Sequence, residues 1–100
     1  VATILRPDGS SEVRAPANGA SFKLLELQTI VGGYIQAVGT VDGRYLICNE
    51  DGKRLGLSVN LAATIVLHEA GGMPNDFVVG NVLIATKEEM GEDDSDLDEE

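Results

Sequence analysis

One hundred residues, 43 % of them hydrophobic, suffice for a single domain with one modest core, and no apolar run reaches the about 18 residues that a membrane-spanning helix needs. The net charge of −10 is local: residues 87–100 hold nine acids and one lysine, whereas residues 1–86 hold eight acids and six bases and are close to neutral. This distribution argues against a salt-adapted acidic surface, and against binding to nucleic acid or membrane phosphates, which the acidic segment would repel.

The opening residues V-A-T-I-L-R-P-D-G lack the basic and apolar regions of a signal peptide, so none is expected. Ala2 to Arg6 reads as a strand, Pro7-Asp8-Gly9-Ser10 as a tight turn, and Ser11 to Ala15, with its alternating pattern, as the partner strand. Pro16 to Gly19 is a loop. From Ala20 to Val31 the positions Leu24, Leu27 and Val31 recur at helical spacing, with Phe22, Leu25 and Ile30 widening the stripe. Asn18 or Ser21 is the candidate cap, and Gly32-Gly33 the stop.

Tyr34 to Val41 and Arg44 to Asn49 read as a hairpin turning at Asp42-Gly43. Its second strand encloses the single Cys48, which excludes an internal disulfide and suits a reducing cytosol. Glu50 to Lys53 reads as a turn and Leu55 to Leu57 as a short extended piece. Ser58 is the candidate cap of a second helix, Val59 to Ala70, although its β-branched residues weaken it. Met73 to Asp76 is a turn, and Phe77 to Thr86 a final strand in which Gly80-Asn81 marks a bulge or a close backbone approach. The expected fold is α+β: a mostly antiparallel sheet with two helices packed on one face. Residues 1–86 form one domain, and residues 87–100, almost without apolar side chains, a disordered acidic tail.

Few residues carry chemistry. His68, the only histidine, stands beside Glu69 near a helix C-terminus, where a favourable interaction with the helix dipole explains it better than acid–base or metal chemistry. The apolar neighbours of Cys48 predict a buried, inert thiol. Asn49-Glu50-Asp51-Gly52 lacks the spaced ligands of a calcium loop and reads as a solvated turn. The glycines match no phosphate-binding loop, and Gly32-Gly33 follows a helix where such a loop would precede one. No catalytic residue, metal or cofactor is therefore expected. The best candidate ligand site groups Gly33, Tyr34, Asn49, Lys53, Arg54 and Asn60. Glycine allows close backbone approach, Tyr34 a stacking face, the amides paired donors and acceptors, and the two bases contacts to an anion. Asn49 and Asn60 serve equally well as partners of turn and cap backbone groups.

The blocks G-G-Y-I-Q-A-V (32–38), I-C-N-E-D-G-K-R-L-G-L-S-V-N (47–60) and F-V-V-G-N-V-L-I-A (77–85) resemble a family of small domains of unknown function carried by bacteriophages, plasmids and other mobile elements. The resemblance spans most of residues 20–86 and leaves the acidic tail outside. It implies a small accessory protein of the host cytosol that counters host defence by binding, and it supplies no catalytic residues. The resulting expectation is a non-enzymatic protein that sequesters a small phosphorylated, nucleotide-type ligand in a pocket formed with a second copy of the chain. The alternative is a protein-interaction inhibitor of a host defence protein, acting through the sheet or, as a DNA mimic of antirestriction type, through the tail.

Overall fold

A computed structural model describes residues 2–39, 43–69, 71 and 76–90. The elements follow in the order β1 (Ala2–Leu5), β2 (Ser11–Arg14), α1 (Leu24–Val31), β3 (Ile35–Gly39) and β4 (Arg44–Asn49), then α2 (Gly52–Leu55), α3 (Leu61–Glu69) and β5 (Val82–Thr86). All five strands form one antiparallel sheet in the order β2-β1-β5-β4-β3. The last strand thus lies in the middle, between two hairpins. In β5 the residues Val82, Leu83, Ile84 and Ala85 are all buried, as a strand covered on both faces requires.

The two faces have separate cores. Ala2, Ile4, Ile47, Leu83 and Ala85 pack with Phe22 and with Leu27, Ile30 and Val31 of α1. Leu46, Val82 and Ile84 pack with Val78 and with Ala63 and Leu67 of α3. The α+β antiparallel architecture is the expected one, but the helices cover opposite faces rather than one. The reason is in the strands: β4 and β5 are apolar at consecutive positions, and a period of two sends consecutive side chains to opposite sides.

Element boundaries shift for identifiable reasons. The first helix starts at Leu24 instead of Ala20, because Asn18 Oδ1 accepts from the backbone N–H groups of Ala20 and Ser21 and holds that stretch in a turn. It ends as expected at Gly32, whose φ of 82° places it in the left-handed region. The expected turn over residues 50–53 and extended piece over 55–57 are instead built around the short helix α2, stopped by Gly56. The second long helix starts two residues late, at Leu61, because Asn60 rather than Ser58 caps it, its Oδ1 accepting from Ala63 N–H at 3.1 Å. Val59 and Val79 form an isolated bridge instead. The final strand is shorter than expected, because Gly80 (φ 76°) turns the chain at a point where a Cβ would lie 2.8 Å from Leu57 Cδ1. That is the close approach anticipated at Gly80-Asn81. The expected end of β3 and its turn at 40–42, most of the turn at 73–76, Ala70 and residues 91–100 lie outside the described residues.

The ordered chain also runs past residue 86. Thr86-Lys87-Glu88-Glu89 behaves as a capping box: Glu89 Oε1 accepts from Thr86 N–H and from the Thr86 hydroxyl, whose oxygen accepts from Glu89 N–H. Phe22 N–H donates to the Glu89 carbonyl at 2.7 Å, and Met90 packs against the α1-side core. A tail beginning at Lys87 therefore starts at least four residues too early.

A chain ending at Lys87 is expected to be less stable than one ending at Met90 by about 2–4 kcal/mol, from the lost Thr86–Glu89 bonds and Met90 burial. Denaturant melts of the two chains would check this, and equal midpoints would contradict it.

Candidate functional site

The α3-side core does not cover its face completely. A cavity of about 160 Å³ opens between the edge strand β3, its neighbour β4, the turn of α2, the end of α3 and the segment 76–79. Its floor is apolar, with Val38, Leu46, Leu67 and Val78. Its mouth carries Gln36, Glu50, Lys53, Asp76 and Phe77. Typical ligand pockets run to roughly 300–1,000 Å³, so this groove holds one ring-sized moiety rather than an entire large ligand.

At the mouth, Lys53 and Asp76 form an ion pair at 2.6 Å. The Lys53 ammonium also lies 4.5 Å from the centroid of the Phe77 ring. Asp76 Oδ1 accepts from Phe77 N–H as well, and His68 Nε2 lies 2.8 Å from the Asp76 carbonyl oxygen. The Lys53 ammonium, with the Phe77 N–H, holds the Asp76 carboxyl below the usual carboxylate range, so Asp76 stays ionised at neutral pH. Cys48 lines the groove half-buried, and burial pushes its thiol up; it is protonated at neutral pH and a poor nucleophile.

The six residues expected to form a ligand site do not come together. Asn60, 0 % exposed, is fully engaged: its Nδ2 donates to the carbonyls of Leu5 and Gly80 while its Oδ1 caps α3. Asn49 borders the groove, but its amide ties β4 to the end of α1, donating to the Val31 carbonyl and accepting from Asp51 N–H. Gly33 belongs to that same joint, since a Cβ there would lie 2.9 Å from Asn49 Nδ2. Arg54 points into solvent and pairs with Asp51 one helical turn away. Tyr34, 69 % exposed, precedes β3 outside the groove lining; only Asn49 and Lys53 of the six line it.

Gln36, Glu50, Asp76 and Phe77 are mouth residues that sequence reasoning missed. No local pattern joins Lys53 to Asp76, 23 residues apart, and only the tertiary fold brings them together. The period-two alternation of β3 did carry a signal for Gln36, two positions from Val38 on the same strand face. Among the described residues no cluster of three or more His, Cys, Asp or Glu could hold a metal ion, and no helix is long and apolar enough to cross a membrane.

Comparison with protein families matches residues 2–100 to a family model described as a domain of unknown function, DUF3846. The match includes the acidic segment that the motif resemblance left outside. Comparison with curated proteins and with solved structures gives no significant match.

Replacing Asn60 with alanine removes its side-chain bonds to the Leu5 and Gly80 carbonyls and to the Ala63 N–H at the start of α3. A loss of about 2–4 kcal/mol is expected, measured by chemical denaturation. A loss below about 1 kcal/mol would show that the joint is not structural.

Proposed function

We propose a binding role for this chain, which belongs to the DUF3846 family of domains of unknown function. The groove sequesters a small planar ligand bearing one negative charge, of nucleotide type. The observation that carries this reading is the combination at the mouth of the groove: an apolar floor, the Phe77 ring, and Lys53 as its one basic side chain. A ring-sized moiety settles on the floor, and a single anionic group shares the Lys53 ammonium with Asp76. Glu50 and Asp76 supply two acids to the one base, so a polyphosphate is disfavoured and a monophosphate or phosphodiester is preferred.

Binding rather than catalysis is supported by how the titratable groups are engaged. Asp76 holds Lys53 and the Phe77 N–H, His68 rests on a backbone carbonyl, and Cys48 is kept protonated by burial. The motif blocks over residues 32–38, 47–60 and 77–85 support the context of a phage or mobile-element accessory protein that counters host defence in the host cytosol. A second role, inhibition of a host defence protein by charge mimicry, is favoured by one specific feature, the run of acids in residues 92–100.

Titration calorimetry with a panel of nucleoside monophosphates and dinucleotides tests the first role. Lys53→Ala and Phe77→Ala are each expected to weaken binding of a retained ligand by about 1–3 kcal/mol, whereas Arg54→Ala leaves it unchanged. A chain ending at Met90 keeps this affinity; charge mimicry would instead vanish with that truncation and fall steeply with salt. An affinity indifferent to Lys53 and Phe77 would remove the groove from the site.

A further inference from the structure

The two edges of the sheet differ in chemistry. The β2 edge, S-E-V-R, is charged: Glu12 accepts from both Arg6 and Arg14 at 2.6 Å. Natural sheets protect exposed edges in this way, with charge, proline or bulges. The β3 edge has none of these. The stretch Y-I-Q-A-V-G (34–39) contains no charge and no proline, and β3 pairs with β4 in unbroken register from Ile35↔Asn49 to Gly39↔Tyr45.

The register also fixes which backbone groups remain available. Glu50 N–H donates to the Tyr34 carbonyl, which makes 34↔50 a hydrogen-bonded pair. Such pairs alternate along an antiparallel ladder, so 36↔48 and 38↔46 follow in the same class. The N–H and C=O groups of Ile35, Ala37 and Gly39 consequently point away from β4, along the open edge.

We propose that β3 pairs with β3 of a second copy of this chain, antiparallel about a two-fold axis at Ala37, to make a continuous ten-stranded sheet. The occupant is a second copy because the strand is complementary to itself. In this register Ala37 meets Ala37 of the partner subunit and Ile35 meets Gly39 of the partner subunit, so all three outward donors and acceptors are satisfied on each side. No like charges meet, and the bulky Ile35 faces the small Gly39 of the partner subunit. The operation closes, as a two-fold contact must.

The pairing has a consequence for the groove. Gln36 and Val38 line it from β3, the edge strand, so its wall on that side stops where the sheet stops. Pairing sets Val38 of the partner subunit opposite Gln36 and continues the wall. It also places both grooves on the same side of the joined sheet. The dimer itself does not depend on what the groove binds.

Sedimentation of the full chain across a concentration series, with amide hydrogen exchange, tests the pairing. The mass of two chains and slow exchange at Ile35, Ala37 and Gly39 are expected. Ala37→Lys, at an exposed position, sets two ammonium groups together on the axis; it should give the mass of one chain and fast exchange at Ile35 and Gly39, with an unchanged far-ultraviolet spectrum. Should the lysine variant not fold, Ala37→Pro removes only an outward N–H, leaves the β4 ladder intact, and should also give single chains. A wild-type monomer, or a dimer in which these three amides exchange fast, would overturn the proposal.

Discussion

The architecture depends on one constraint, that β4 and β5 are apolar at consecutive positions and must be covered on both faces. Leu46 and Ile47 point to opposite sides, as do Leu83 and Ile84, and each is nearly free of solvent. A helix on one face alone would leave half of this surface wet, at roughly 25 cal/mol for every Å² of apolar area. The chain solves this by sending α1 to one side and α3 to the other. The two covers are unequal. Three residues of α1 are buried, with Phe22 beside them, whereas α3 buries only Ala63 and Leu67. The groove lies on the side with the thinner cover.

Buried amides hold this arrangement at the seams. Asn60 joins the end of β1, the turn before β5 and the start of α3, three pieces with no local reason to meet. Asn49 does the same between α1 and β4. In an interior of low polarity, an amide that satisfies several backbone groups fixes a unique arrangement, because any other leaves them unpaired.

Much of the fold was legible because it is written in local patterns. The turn at Pro7–Ser10, the stop at Gly32, the strand Arg44–Asn49 and the tight approach at Gly80 all rest on glycine, proline or alternation, and all stand where expected. The opposite-face helices were also encoded, in the unbroken apolar runs Leu46-Ile47 and Val82-Leu83-Ile84-Ala85, which an alternating one-faced sheet would not contain. The site was less legible. An asparagine that binds a ligand and one that caps a helix look identical in sequence; only their partners separate them. Lys53 was found through its charge, but its partner Asp76 and the Phe77 ring come from a distant segment, and no spacing rule connects them. The Thr86–Glu89 box was readable, yet the surrounding run of acids concealed it.

The central position of β5 orders the events of synthesis. Both hairpins leave the ribosome before the strand that joins them, and neither β1 nor β4 has its inner neighbour until residues 82–86 emerge. Until then each hairpin is an isolated two-stranded piece, which is marginal in water. The contacts that weld the sheet are among the longest in sequence, reaching from Thr3 to Ile84, and such pairings form slowly. The nascent chain thus carries an uncharged, unprotected strand at β3 well before its core can close, and crowding of nascent chains favours premature contact between copies.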